Sequence, residues 1–224
     1  MAIAQPVAAV LLAGGLSRRM GGVDKTLIEV AGQSLLQRVI ERTKPQVCAM
    51  LLSANGDRTR FSAFDLPIRS DVVDGYAGPL AGILTGMEWV KETQPGVQWL
   101  ISLATDTPLI PDDLVARLQA AVMSEGSDIA YARSGRFDHP VFGLWPVLLA
   151  DDLRHALVSD NIRKLSHWCA RYKAARVIWP DGDADPFFNI NTPEDIARFG
   201  ERIKDPNMNG EERSSPLVRT RGEG

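Results

Sequence analysis

A chain of 224 residues, 45% of them hydrophobic, suits one large α/β domain better than two small ones. Its formal net charge of −3 leaves no broad basic surface for nucleic acid, so positive charge is expected only locally. No apolar run approaches the ~20 residues of a membrane span, and no charged N-terminal region leads into a long apolar one. Neither an anchor nor a signal peptide is therefore expected, and the cytoplasm is the natural compartment.

The first apolar run, Val7 to Leu12, is short and bounded by turn residues, the pattern of a buried strand. It passes through Ala13 into Gly14-Gly15-Leu16-Ser17-Arg18-Arg19-Met20-Gly21-Gly22-Val23-Asp24-Lys25. Thr26 to Val30 predicts a short strand turned by Ala31-Gly32. Ser34 and Gln37 form a capping box for a helix with Leu35, Leu36, Val39 and Ile40 on one face, stopped at Pro45. A buried strand follows over Val47 to Leu52, then a short helix over Arg58 to Phe64 and a strand over Pro67 to Arg69, ending at Asp71. Pro79 suits the first turn of a helix reaching Val90. Gln98 to Leu103 predicts a strand running into Ala104-Thr105-Asp106-Thr107-Pro108, and Asp113 to Met123 a helix. Strand and helix alternate four times, which predicts a mostly parallel, Rossmann-like α/β sheet with helices on both faces, in a single domain.

The second half is less regular. Asp128 to Ala132 and Val141 to Trp145 read as strands around a turn at Ser134-Gly135, Leu148 to Leu157 and Asn161 to Ala170 as helices, and Arg176 to Trp179 as a strand. Phe187 to Asn191 is extended, and Thr192-Pro193 opens the last helix as N-cap and first turn. The domain is expected to span 1–204. Residues 205–224, rich in Asn, Gly, Glu, Arg and Ser, are expected to form a disordered tail. Cys48 and Cys169 are the only cysteines, and their apolar surroundings predict buried inert thiols rather than a disulfide.

In an open α/β sheet, ligands bind outside the carboxyl ends of the strands. Gly14-Gly15, Asn55, Asp71 and Asp106 each follow a predicted strand. The two glycines allow close backbone approach and a concavity of N–H groups, and Arg18, Arg19 and Lys25 add positive charge where phosphates would sit. Two familiar phosphate loops are excluded. Val23 and Asp24 separate Gly22 from Lys25, so the Gly-Lys-[Ser/Thr] ending of the P-loop fails, and no G-x-G-x-x-G is present. Asp106 offers the carboxylate oxygen that a hard divalent ion on phosphates requires, although an Asp there can also cap the turn before Pro108. Asn55 and Asp71 suit a purine edge or a ribose, and an Asn after a strand serves equally as a turn residue.

The string LAGGLSRRMGGVDK resembles the signature of the nucleotidyltransferases with a mononucleotide-binding α/β fold, and within them the molybdenum cofactor guanylyltransferases. The resemblance covers about residues 7–200. It implies transfer of GMP from GTP to molybdopterin, with Mg²⁺ held by Asp106 in the segment TDTPLIP. It implies Lys25 and Arg19 as catalytic charges on the phosphates, with Arg19 favoured over Arg18 because Arg19-Met20-Gly21 fits the family string. Leu12 and Ala13 would lie against the base by backbone, beside Gly14 and Gly15, and Asn55 and Asp71 would touch the nucleotide. Gly78 and Gly82 in GPLAGI, His139 in DHPVFGLW, and Asn189 and Asn191 in FFNINTPED match family segments near the second substrate. The asparagines would also lie near the metal. The alternative for His139, which the residues themselves favour, is a strand-end histidine satisfied by backbone. His155 and His167 read as helix-surface residues, and Arg163 and Lys164 as a solvated helix face or as contacts to the pterin's phosphate.

The attacking phosphate of molybdopterin is already ionised, so no general base is required, in keeping with a sequence that shows no Ser-His or Cys-His pairing. Cofactor-biosynthesis proteins and recipient molybdoenzymes are the expected protein partners. A cytidylyltransferase for the same pterin, a sugar-phosphate nucleotidyltransferase, or a nucleotide-sensing protein with a decayed site would share the loop; Gly14, Gly15, Lys25 and Asp106 together speak against decay.

Overall fold

The computed structural model describes residues 5–13, 24–73, 75, 78–181 and 185–204. The expectations for Gly14, Gly15, Arg18 and Arg19, and for the tail 205–224, lie outside the described residues.

The first half carries β1 (Val7–Leu12), β2 (Glu29–Val30), β3 (Gln33–Ser34), α1 (Leu35–Thr43), β4 (Ala49–Ser53), β5 (Ile68–Arg69), α2 (Pro79–Thr93), β6 (Trp99–Ala104) and α3 (Leu114–Glu125). The second half adds β7 (Ile129–Ser134), β8 (Phe137–Pro146), α4 (Ala150–Val158), α5 (Leu165–Cys169), β9 (Ala174–Trp179) and α6 (Pro193–Lys204). The main sheet has the order β5-β4-β1-β6-β8-β7-β9, while β2 and β3 form a separate hairpin. β5, β4, β1 and β6 run parallel; β8 is antiparallel to both of its neighbours, and β9 is parallel to β7. This is the mostly parallel α/β sheet expected.

Side-chain alternation along the strands builds two cores. Ala9, Leu11, Leu52, Ile101 and Leu103 face Leu36 and Val39 of α1 and Leu114 and Leu118 of α3. Ala8, Val10, Leu51 and Leu100 face Leu80, Ile83 and Met87 of α2, with Leu153 of α4 and Trp168 of α5. Both faces are thus covered, as a parallel sheet requires. Gly82 sits where α2 crosses β1: an added Cβ would lie 2.5 Å from Leu12 Cδ2. A side chain there would have to displace Leu12.

Register decides which strand ends meet. Leu12 pairs with Ser53 on one side and Ala104 on the other, so the carboxyl ends of β4, β1 and β6 are level. β8 pairs Gly143 with Ser102 and, farther back, His139 with Ala132. Its amino-terminal half therefore runs past the end of β6, and His139 lies on the same edge as the carboxyl ends.

Four local expectations are corrected. Thr26 to Val30 is not one strand: Lys25–Leu27 is a 3₁₀ turn, because the Asp24 carboxylate accepts from Thr26 N at 3.1 Å and Thr26 Oγ at 2.8 Å. The helix over Arg58 to Phe64 shortens to a 3₁₀ turn over Arg58–Phe61. The helix from Asn161 begins only at Leu165, since Asn161 takes the left-handed conformation at φ 55°. Cys48 is exposed, just before β4, with Sγ 3.3 Å from Val7 O; Cys169 is buried as expected, and burial pushes its thiol pKa up to about 12. Both are free thiols.

Candidate active site

One polar junction at the carboxyl edge centres on Lys25. Its Nζ donates to Asp106 Oδ2 at 2.7 Å, to Asn191 Oδ1 at 2.6 Å and to Asn189 Oδ1 at 3.4 Å. Side-chain exposure of 16% for Lys25 and 24% for Asp106 makes this a sheltered ion pair, less screened than a surface pair. Its position follows from local structure on both sides. Lys25 opens the 3₁₀ turn capped by Asp24. Asp106 lies two residues past β6, and its carbonyl accepts from Ile190 N at 3.0 Å, which clamps the Asn189-Ile190-Asn191 segment to the strand end. Ile190 itself is fully buried.

Asn191 is further set by the start of α6. Asp195 Oδ2 accepts from Asn191 N and Thr192 N, each at 2.8 Å, while Thr192 Oγ accepts from Asp195 N at 3.2 Å. This is a reciprocal cap with Asp in the acidic position. Burial works against the Asp195 carboxylate, but the donated hydrogen bonds and the Lys25 charge outweigh it and hold its pKa below the usual range.

The junction fits a hard divalent cation. One carboxylate and two amide oxygens suit Mg²⁺, which keeps several waters and takes phosphate oxygens for the rest. Among the described residues no three of His, Cys, Asp and Glu gather as a metal cluster. Any metal here would lean on Asp106 as its one carboxylate.

A second junction forms at the ends of β4 and β5. Asn55 Nδ2 donates to Asp71 Oδ2 at 2.7 Å, Asp71 N donates to Asn55 Oδ1 at 2.9 Å, and Ser53 Oγ donates to Asp71 Oδ1 at 3.0 Å. Each Asp71 oxygen retains lone-pair capacity for a further donor. At the end of β1, Leu12 O accepts from Thr105 Oγ at 3.1 Å and Ala13 N donates to Ser53 O at 2.9 Å. These contacts lock Leu12 and Ala13 between β4 and β6; the Ala13 N–H is thereby already bonded.

Arg60 connects the two junctions and was not singled out from the sequence. Its Nε donates to Asp24 Oδ2 at 2.8 Å and its Nη2 to Asn55 O at 3.0 Å, while Nη1 bonds Asp57 O and the guanidinium lies 4.5 Å from the Phe61 ring centroid. Ser53 and Thr105 were likewise missed. Their only signal was adjacency to Asn55 and Asp106, whereas nothing local marks Arg60.

On the other side of the edge, Gly78 caps α2 with φ 145°, a backbone conformation that disfavours side chains, and is exposed. Gly82 is buried against Leu12 and Ser53, where the missing side chain lets α2 approach β1. His139 Nε2 lies 2.6 Å from Ser134 Oγ, which is 2.9 Å from Asp185 Oδ2, and the imidazole packs on Phe187 at 5.1 Å between centroids. A Ser-His contact thus exists, contrary to expectation, but in the wrong order for a nucleophile. The Asp185 carboxylate only accepts, so Ser134 donates to it and His139 Nε2–H donates to Ser134. Burial holds the His139 pKa below the usual imidazole range, against the pull of Asp185 and Asp138. A neutral ring with Nε2 protonated leaves Nδ1 as an acceptor. His155 and His167 are exposed helix residues, as expected.

Comparison with known proteins identifies the family and the fold. Residues 9–175 match the MobA-like NTP transferase domain. A molybdenum cofactor guanylyltransferase of Bradyrhizobium sp. (strain ORS 278) is 56% identical over 191 residues, 85% of this chain and 90% of that protein. One of Rhodopseudomonas palustris (strain BisB5) is 52% identical over 195 residues, 87% and 92% of the two chains. The crystal structure of molybdopterin-guanine dinucleotide biosynthesis protein A from Archaeoglobus fulgidus superposes with a TM-score of 0.69 at 22% identity, covering 88% of this chain and 98% of that one.

Proposed function

Since the chain belongs to the molybdenum cofactor guanylyltransferases and is a nucleotidyltransferase, we propose that it transfers GMP from GTP to molybdopterin and releases pyrophosphate. The observation that carries this reading is the junction of Lys25 with Asp106, Asn189 and Asn191, beside the pair Asn55–Asp71. One group is equipped for phosphates and the other for a base.

The chemistry is an in-line displacement. A terminal phosphate oxygen of molybdopterin attacks the α-phosphorus of GTP, a new P–O bond forms, and the bond to the β-phosphate oxygen breaks. The nucleophile is already an anion, so the Ser134–His139 pair is not required as a base. The residues act by positioning and by charge. Lys25 Nζ donates to phosphate oxygens as negative charge moves onto the leaving pyrophosphate. Arg19 and the Gly14-Gly15 backbone are proposed to cradle the same phosphates. Asp71, held by Ser53 and Asn55, accepts from guanine N1–H and the exocyclic amine, while Leu12 and Ala13 lie along the base. Gly78 borders the second substrate, and His139 Nδ1 offers it an acceptor. Asp106, with Asn189 and Asn191, would hold Mg²⁺, which supplies electrostatic stabilisation of the phosphoryl oxygens.

Cofactor-biosynthesis proteins and recipient molybdoenzymes are proposed as the protein partners. The cytoplasm is proposed as the compartment, and no helix among the described residues is long and apolar enough to cross a membrane. Incubating the protein with molybdopterin, Mg²⁺ and labelled GTP, CTP or ATP tests the reading. Transfer of label from GTP alone is expected; transfer from CTP in preference to GTP overturns the guanylyl assignment.

A further inference from the structure

Three oxygens from remote parts of the chain surround one ammonium: Asp106 Oδ2 at 2.7 Å, Asn191 Oδ1 at 2.6 Å and Asn189 Oδ1 at 3.4 Å from Lys25 Nζ. The same three oxygens form the donor set that suits a hard divalent ion. A divalent ion bound to these same three oxygens would stand in the place of the ammonium, and the two charges would repel at close range. We propose that Lys25 Nζ and the divalent cation are mutually exclusive occupants of this oxygen cage. Lys25 is therefore a built-in competitor that keeps metal affinity low until a nucleotide arrives. The inference rests on the reading of Asp106 as a metal ligand.

The way the parts are held favours the lysine as the member that moves. The oxygens are fixed by backbone: Ile190 N bonds Asp106 O, and Asp195 bonds the N–H groups of Asn191 and Thr192. Lys25 has its main chain in the turn capped by Asp24 and carries its charge on a flexible four-carbon stem. A nucleotide's phosphates offer that charge a second anionic partner within reach of the same backbone position. Metal and nucleotide would then bind together, the metal replacing the ammonium on Asp106 while the ammonium moves to phosphate. Without a cation of either kind, the Asp106 carboxylate and two amide oxygens would face one another, which disfavours the assembled edge.

The test measures Mn²⁺ binding to the full chain without nucleotide, read as loss of the free Mn²⁺ electron paramagnetic resonance signal. Wild type is compared with Lys25→Met and Lys25→Gln, two neutral residues of similar length, and with the double variant Lys25→Met/Asp106→Asn. The neutral variants are expected to bind Mn²⁺ on the order of tenfold more tightly than wild type, and the double variant is expected to lose that gain. Binding by both neutral variants that is equal to or weaker than wild type overturns the proposal, as does a gain that survives in the double variant. The readout involves no turnover. A gain in Mn²⁺ affinity in the neutral variants, with a wild type that transfers no GMP, would leave this inference standing and remove the proposed function; transfer by wild type with no gain in the variants would do the opposite.

Discussion

Asn55 and Asp71 hold each other through two hydrogen bonds, side chain to side chain at 2.7 Å and backbone to side chain at 2.9 Å, although sixteen positions separate them. The pair turns two strand ends into one recognition element, with Ser53 steadying the remaining oxygen. Asp71→Asn would set an amide NH₂ against donors already present. Hydrogen bonds to a charged group are worth about 1.5–3 kcal/mol, so KM for GTP should rise roughly 10- to 100-fold while kcat changes less. The preference for GTP over ATP should shrink in parallel. Initial rates with both nucleotides check this, and an unchanged KM would remove Asp71 from base recognition.

Arg60 spans Asp24 and Asn55, so it should tune nucleotide binding without touching the reacting atoms. Arg60→Ala is expected to raise KM for GTP about tenfold with a smaller fall in kcat. Arg60→Lys should recover only part of it, because an ammonium cannot reproduce the two-way fork. A variant that loses thermal stability at normal KM would reduce Arg60 to a structural brace.

Asp106→Asn separates metal binding from turn formation. An amide keeps the shape and the turn propensity but removes the charge. Activity should fall by roughly 100-fold or more at low Mg²⁺, with folding retained. Lys25→Ala should lower turnover at saturating GTP by a similar factor, since it removes a cation from the phosphates. Turnover measured against Mg²⁺ concentration, alongside thermal melts, tests both; near-normal activity with unchanged Mg²⁺ dependence in Asp106→Asn would undo the metal role.

Asp195 ties the position of Asn191 to pH. Its folded pKa lies below the ordinary aspartate value of about 3.9, so its stabilisation is complete above that value and is lost as pH falls through the folded one. Asp195→Ala should cost about 1 kcal/mol near neutral pH, a typical capping loss. In strong acid the difference between variant and wild type should narrow. Thermal midpoints across pH measure it, and a gap that persists in acid would assign the effect to something other than the carboxylate.

Much of this molecule could be read from one dimension. Val7 to Leu12 and Trp99 to Leu103 announce buried strands by length and apolarity, Pro79 and Thr192-Pro193 mark helix starts, and the glycine-rich string resembles the signature of the family to which the chain belongs. These are local signals, carried by neighbours within a turn or two of chain. The misreadings are local competitions as well: Asp24 draws Thr26 into a turn, and Asn161 breaks a helix in the left-handed region.

What the chain order could not say is who meets whom across the edge of the sheet. Lys25 reaches Asp106 over 81 positions and Asn191 over 166, Arg60 reaches Asp24 over 36, and Ser134 stands between His139 and Asp185. No periodicity or spacing encodes such pairings. They follow from strand order, from the register that levels Leu12, Ser53 and Ala104, and from a β8 long enough to overrun β6. Residue types and local propensity determined the fold class and the chemistry available. Only long-range backbone pairing decided which oxygens surround Lys25, because hydrogen-bond geometry is set by distances in space that the sequence does not record.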